Sequence, residues 1–337
     1  MKIYRNYSLK EQNTFGMDAK ASSYAEVADL NDVTKILDIA NRLQLPVFIL
    51  GSGSNILLTK DLDGLVIHPV CKGIKIINET VAYVDVEAMA GEEWDNLVAW
   101  AVKNKFGGIE NLSYIPGTVG SSPVQNIGAY GAELKDVFQS LKAVELANNQ
   151  LHEFGYNQCE FGYRQSFFKQ SGKNSYMIWS VVLRLNKNPQ PNISYPALVQ
   201  AIGNMDVASI SIKMVREKII AIRKKKLPEV GEIGSAGSFF KNPVISNAKY
   251  DELKAKYATI PCYEMEEGKK IPAGWLIEKC GLKGYRAGDA GVWPQQALVL
   301  VNYADATGQQ ILDLCNNIVD SVINTFGVQL EPEVQIL

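Results

Sequence analysis

The sequence predicts an α+β protein of more than one domain, and three observations carry that expectation. At 337 residues the chain exceeds the size at which one hydrophobic core usually stops growing. Apolar residues recur with the two-residue period of strands in some segments and with the helical period in others. The two kinds of segment are interleaved without the regular strand–helix alternation of a doubly wound sheet.

Taken in order, the first helix is expected over residues 31–43, where Val33, Ile36, Leu37, Ala40 and Leu43 share one face behind an Asn31–Asp32 cap. PVFIL at 46–50 reads as a short buried strand that GSGSN at 51–55 ends. VAYVDVEA at 81–88 alternates as a half-buried strand does, and Trp94, Leu97, Val98, Ala101 and Val102 follow at helical spacing. Between 141 and 186, LKAVELA and YMIWSVVLRL read as strands around the polar, aromatic FGYRQSFFKQSGK. A helix over 211–226 turns Val215, Ile219 and Ile222 inward and stops at Leu227-Pro228, because proline cannot continue it. Residues 227–245 read as turn and strand, with GEIGSAGSFFKNP at 231–243 suggesting a rigid exposed turn. Helices at 247–257 and 272–280 precede a strand at 297–301, and the last helix, 307–326, carries Ile311, Leu314, Ile318 and Val322 on one side and stops at Gly327.

Composition excludes several classes. Apolar residues make up 47% and charged residues 21%, the balance of a folded chain. Lys plus Arg is 34 against 36 for Asp plus Glu, which removes the electrostatic basis for nucleic acid or an anionic membrane as partner. The opening residues lack a signal-peptide core, and no apolar run approaches the ~20 residues that span a bilayer, so a cytoplasmic location is expected. Cys71, Cys159, Cys262, Cys280 and Cys315 are scattered and form no Cys-x-x-Cys pair, so buried, inert thiols are expected and no metal site. His68 lies in the strand-like GLVIHPV and His152 in the turn-like NNQLHEF, neither with company for a triad or a ligand set. Chemistry is therefore expected on Ser, Glu, Arg, Lys or a cofactor.

GSGSN follows a strand, as an anion-binding turn does, but it is neither the dinucleotide nor the P-loop fingerprint, and an ordinary turn suits it as well. IPGTVGSSPVQNIGAYG at 115–131 is rich in Gly, Ser and Pro and almost free of charge. Backbone amides and hydroxyls in such a loop can meet a buried polar ligand without steric conflict, whereas a solvated loop would carry charge; a tight structural crossover is the alternative. At this level Ser238 suits a nucleophile, a phosphate ligand, a proton donor or a turn residue.

Together with NTFG at 13–16, YRQSFFK at 163–169, GSAGSFFKNP at 234–243 and LEPEV at 330–334, these loops resemble the UDP-N-acetylenolpyruvylglucosamine reductases, also called UDP-N-acetylmuramate dehydrogenases, flavoenzymes of peptidoglycan synthesis. The motifs stand in family order from about residue 10 to the C-terminus. The resemblance implies an FAD-binding module of the vanillyl-alcohol oxidase / p-cresol methylhydroxylase type in two subdomains, 1–72 and 73–226. An α+β substrate-binding domain at 227–327 would follow, with a tail at 328–337 packed back on the first subdomain. It implies non-covalent FAD, NADPH as co-substrate, a UDP-sugar substrate and a monomer. The flavin nucleotide would be held by Asn13 and Thr14, by Gly51, Ser52, Gly53, Ser54 and Asn55, and by Pro116, Gly117, Thr118, Gly120, Ser121 and Ser122. Gln125, Asn126, Gly128, Ala129, Tyr130 and Gly131 would complete that site.

The family's reaction passes hydride from flavin to the enolpyruvyl methylene, after which an acid protonates the adjacent carbon. By the resemblance Ser238 is the proton donor, and no histidine stands ready to make it a hydrolytic nucleophile. Arg164 would clamp the substrate carboxylate bidentately, and Glu333, as a protonated acid, would hydrogen-bond the charge that grows there. Tyr163, Tyr195, Lys226, Asn242 and Gln296 match positions that hold the UDP-sugar. Tyr195, in a polar loop, resembles the subclass that closes a tyrosine-bearing loop over substrate. The chain departs from the pattern in its short tail and in Gln335, where an arginine is common. A flavin-dependent oxidase with the same cofactor module, and a nucleotide-binding module without chemistry, are the competing readings.

Overall fold

The structure, a computed structural model, describes residues 2–229 and 231–337. The chain divides into two units, each assembled from three separate stretches. The first holds the N-terminal stretch to Tyr7, Ala21–Ser52 and Leu62–Arg223; the second holds Ser8–Lys20, Gly53–Asp61 and Lys224–Leu337.

In the first unit a four-stranded sheet runs in the order Ile3–Ser8, Lys20–Val27, Leu62–Pro69, Val47–Ile49, the last three strands parallel. The helix Leu30–Leu43 makes the crossover and presses Val33, Ile36, Leu37 and Ala40 onto Ala25, Val27, Leu65 and Ile67. Its cap differs from the expected one: Asp29 accepts from the Asp32 N–H at 2.8 Å, so Asn31 and Asp32 lie inside the first turn. A second sheet of five antiparallel strands is ordered Leu151–Gly155, Phe138–Glu145, Tyr176–Asn186, Tyr83–Met89, Ile74–Glu79. Its central strand, Tyr176–Asn186, is buried almost throughout because its faces feed two cores: Ile178, Val181, Leu183 and Leu185 join one, Met177 and Trp179 the other. That double burial explains why YMIWSVVLRL reads as a run rather than an alternation. His152 falls on a strand, not in a turn, with Nε2 2.9 Å from Glu145 Oε2.

In the second unit Gly234–Ser238, Val299–Asn302, Ala290–Val292 and Arg286–Ala287 form an antiparallel sheet. The helix Gly308–Phe326 starts on a Thr307–Gln310 capping box, buries Ile311, Leu314, Ile318 and Val322, and ends at Gly327 in the left-handed conformation at φ +63°. A smaller sheet pairs Val244–Ile245, Gly268–Lys270 and Tyr263–Met265. GSAGS is thus an extended strand, not the exposed turn expected. Its residues are small and carry no apolar alternation, and it is a strand through its pairing with Val299–Asn302. Cys71, Cys159 and Cys315 are buried, whereas Cys262 and Cys280 are only half-buried, a departure from the expectation for all five. Among the described residues no helix is long and apolar enough to cross a membrane.

Candidate functional site

In the first unit the two glycine-rich loops meet. Strand Val47–Ile49 leads into Gly51 and Ser52, while residues 117–120 are anchored by Trp94 N–H to Gly117 O and Gly120 N–H to Ala90 O, each 2.9 Å. A methyl on Gly51 would stand 2.8 Å from Thr118 Oγ1, and one on Gly120 would stand 2.6 Å from Ala90 Cβ, so close backbone approach requires glycine at both. Ser121 Oγ donates to Thr118 O at 2.7 Å, and Ser122 Oγ to Val119 O at 2.7 Å. Ser52 Oγ, by contrast, is buried without a hydrogen-bond partner. An orphaned hydroxyl costs about 1–3 kcal/mol, and an anionic oxygen that accepts from it removes that cost. The residues therefore fit the phosphate of a flavin nucleotide.

The rest of the 115–131 loop is held by its own polar groups. Asn126 is fully buried, its amide donating to Glu133 Oε2 and Gly162 O, each at 3.0 Å, and accepting from Lys135 N–H at 3.0 Å. Asn126 is therefore a strut between the loop and the YRQ segment. Gln125 accepts from Lys169 Nζ at 3.4 Å. Gly128 and Ala129 pair with Glu133 and Ala132 around a two-residue turn, Tyr130-Gly131, with φ +49° and +81°. Arg164, itself at φ +55°, donates to Gly128 O and, at 3.5 Å, to Asn126 O, with its guanidinium 5.5 Å from the Tyr163 ring centre. A methyl on Gly128 would stand 2.7 Å from Arg164 Nη1. The bare backbone there is what lets the guanidinium lie down.

Tyr130, at the hairpin tip, packs edge-on against Tyr195 with ring centres 5.2 Å apart. Tyr195 closes the polar segment 187–195 at the N-cap of the helix Pro196–Ile202, where it is not free but packs beside Leu198, Ile202 and Val215. The reason lies in the apolar residues that follow it, which need a face to cover. Sequence reasoning missed the residues that hold this corner. Asn111 Nδ2 donates to Tyr130 O and Asn192 O, each 2.8 Å, and Asn192 Nδ2 donates to Gly131 O at 2.9 Å. Arg223 hydrogen-bonds the Tyr130 side chain and donates from Nε to Tyr114 O at 3.0 Å. Burial holds the Arg223 guanidinium below its usual pKa, and burial pushes the Tyr130 phenol up against the opposing pull of Arg223. Tyr114, strained at φ +60°, is clamped on its other side by Asp95, which takes Arg216 bidentately at 2.6 and 2.8 Å. Arg223 reads from sequence as one of a solvated cationic run, so no local signal marks it. Pro116 and Gly131 lie exposed on the loop.

In the second unit one backbone junction gathers most of the remaining candidates. Asn13 is buried, bonded to Leu9 O, Met17 O and Met17 N–H, and so shapes the NTFG turn. Thr14 N–H donates to Gly53 O at 3.2 Å and Thr14 Oγ1 to Ser235 O at 2.6 Å. Gly53, at φ +63°, leaves no room for a side chain, since a methyl would stand 2.1 Å from Gln12 O. Asn55 Nδ2 donates to Glu333 O at 3.3 Å, and Gln335 N–H to Asn55 O at 3.0 Å, beginning the parallel pairing of Gln335–Ile336 with Ile56–Leu57. Ser54 lies between these anchors. Glu333 N–H donates to Phe239 O at 2.8 Å, and Phe240 bridges Pro332, so Ser238 and Glu333 occupy facing backbone segments. Ser238 itself is exposed, followed by the buried pair Phe239 and Phe240. A bulge between Ser235 and Ser238, with Gly237 at φ +68°, breaks the alternation of the strand.

Asn242 and Gln296 meet at the start of the helix Ala273–Lys279. Asn242 Oδ1 accepts from Ala273 N–H at 2.9 Å, and a methyl on Gly274 would stand 2.9 Å from Gln296 Oε1. Lys226 is the exposed last residue of the helix Ile212–Lys226.

Known proteins resemble this chain along its whole length. Residues 21–155 match a family described as FAD binding domain, and residues 228–337 match UDP-N-acetylenolpyruvoylglucosamine reductase, C-terminal domain. The chain is 45% identical to the UDP-N-acetylenolpyruvoylglucosamine reductase of Flavobacterium johnsoniae, with 100% of each covered, and 43% identical to that of Pseudomonas aeruginosa, covering 99% of this chain and 98% of the relative. The crystal structure of UDP-N-acetylenolpyruvylglucosamine reductase from Thermus caldophilus superposes with a TM-score of 0.71 at 23% identity, over 100% of this chain and 99% of that one, a likeness of fold.

Proposed function

The chain belongs to the UDP-N-acetylenolpyruvoylglucosamine reductase family, and on that premise we propose how its residues divide the work of reducing UDP-N-acetylglucosamine enolpyruvate to UDP-N-acetylmuramate. The chain binds FAD and uses NADPH as electron source. FAD, when bound, supplies the hydride that adds to the enolpyruvyl methylene. The electron pair of the double bond is then left on the adjacent carbon and its carboxylate. That carbon is strongly basic, so the Ser238 hydroxyl suffices to protonate it when held in line. Arg164 clamps the carboxylate with its planar fork, and the Glu333 carboxyl hydrogen-bonds the charge that develops. Asn13, Thr14, Gly51, Ser52, Gly53, Ser54, Asn55 and the 116–131 loop serve the flavin nucleotide. Tyr163, Tyr195, Lys226, Asn242 and Gln296 serve the UDP-sugar, with Tyr195 marking the subclass that closes over it. We further propose the division into 1–72, 73–226 and 227–327, with the tail 328–337 returning to the first part, in a cytoplasmic monomer.

The observation that most supports the proton-donor reading is the bulge at Gly237 ahead of an exposed Ser238, beside the segment that carries Glu333. Bulges re-aim one side chain. An anaerobic titration separates the steps: NADPH should bleach the flavin, and UDP-N-acetylglucosamine enolpyruvate should restore its colour. Ser238→Ala should keep the bleaching rate and lower recolouring by about 10²–10⁴-fold. Equal loss of both steps would assign Ser238 to the fold or the flavin site instead.

A further inference from the structure

Leu50 is the last residue before GSGSN, and its carbonyl stands at a gap in the parallel sheet. Strand Val47–Ile49 pairs with Leu62–Pro69, Val47 opposite Leu65, Phe48 opposite Val66 and Ile49 opposite Ile67. The ladder continues one step beyond the strand, with Leu50 N–H donating to Ile67 O at 2.9 Å. In a parallel ladder the carbonyl of such a residue accepts from the N–H two positions beyond the acceptor, here residue 69. Residue 69 is a proline and has no N–H. On the opposite side the pairing is intact, for Val70 N–H donates to Val27 O at 2.9 Å. The proline thus removes one donor, and removes it from Leu50.

His68 fills the gap. Its Nδ1 lies 2.7 Å from Leu50 O, and because a carbonyl only accepts, Nδ1 carries the hydrogen. The half-buried ring is kept in that orientation by Tyr24, stacked on it with centres 6.2 Å apart and planes 23° apart. Tyr24 is fixed in turn by Tyr7, stacked at 4.1 Å, and by its own hydroxyl donating to Glu26 at 3.2 Å.

We infer that His68 is a positioning residue for the nucleotide loop: its imidazole stands in for the amide that Pro69 lacks, fixes the Leu50 carbonyl and so sets the direction in which the chain enters Gly51 and Ser52. The inference rests on the reading of those two residues as part of the FAD cradle. It makes His68 and Pro69 interdependent. An N–H at position 69 would close the ladder unaided and leave the imidazole without a task.

The test is FAD titration into apo-protein, followed by flavin fluorescence anisotropy, for the wild type, His68→Phe, Pro69→Ala and the double variant. His68→Phe keeps a stacked ring and removes the donor. It should weaken FAD binding about tenfold, while the double variant recovers to within about threefold of wild type. Wild-type affinity in His68→Phe, or no recovery in the double variant, overturns the inference. If the wild type itself takes up no FAD, the cradle reading fails rather than the ladder argument. In that case, or if His68→Phe does not fold, imidazole ¹⁵N NMR of the wild type at about pH 8 decides: Nδ1 protonated with Nε2 bare supports the role, and the opposite tautomer overturns it.

Discussion

The distance of 2.7 Å between Arg164 Nη1 and the place a methyl would take on Gly128 couples the two residues. Such a methyl would also stand 2.9 Å from Glu133 Cγ and 3.0 Å from the Ala132 carbonyl oxygen, so Gly128→Ala should move both the guanidinium and the hairpin. Loss of alignment of about an ångström costs on the order of 10²-fold in rate. The expected result is a fall in kcat of that size, accompanied by a lower Tm and weaker FAD binding because Gly128 also belongs to the loop assigned to the flavin, measured by steady-state kinetics, FAD titration and thermal melting. The cysteines give a second residue-scale prediction. Burial pushes the Cys159 and Cys315 thiols up to about 12 and raises Cys71 as well, so all three remain protonated and covered. Alkylation of the folded protein at mild pH should reach Cys262 first, the half-buried Cys280 more slowly because burial raises its thiol as well, and spare the other three, as peptide mapping would show.

At the scale of elements, the strand that carries Ser238 was the least legible part of the sequence, because glycine, serine and alanine announce a turn and only the neighbouring Val299–Asn302 makes them a strand. The long helices were legible where an apolar stripe meets a terminator, as in Gly308–Phe326 with Thr307 and Gly327, whereas the seven-residue Pro196–Ile202 was too short to show one. The candidate residues were legible as motifs, but their partners were not. Asn111, Asn192 and Arg223 carry no local pattern and become visible only when distant segments meet at the Tyr130 hairpin. The bulge itself can be tested. Gly237 has open space around its Cα, so Gly237→Ala meets only the backbone penalty of a left-handed φ, about 1–2 kcal/mol. Gly237→Asn should cost less, since asparagine tolerates that region. Urea unfolding should rank the three accordingly, and turnover should follow the displacement of Ser238 rather than the loss of stability.

For the molecule as a whole, acid should act through paired carboxylates in the first unit. Burial alone would raise the Asp95 carboxyl, but Arg216 and the Tyr114 N–H outweigh it and hold its pKa low; Arg184, followed by Asn78, does the same for Asp85. Groups depressed in the folded state contribute stability above their unfolded pKa, near 3.9, and that contribution is lost as pH falls through the lower folded value. Tm should therefore decline steeply below about pH 4. Asp95→Asn should flatten that decline and, at neutral pH, cost about 2 kcal/mol.

The Thr14–Ser235 hydrogen bond joins groups 221 residues apart in the chain. During synthesis at roughly 5–20 residues per second, the NTFG turn emerges about 10–45 s before the strand it must grip. The residues that finish the junction, Glu333 to Leu337, are made about 100 residues later still. The second unit therefore waits for segments made at widely separated times, and a gene cut at the boundary near residue 228 would yield a carboxyl-terminal part deprived of the turn and of Ile56–Leu57, its edge exposed to aggregation.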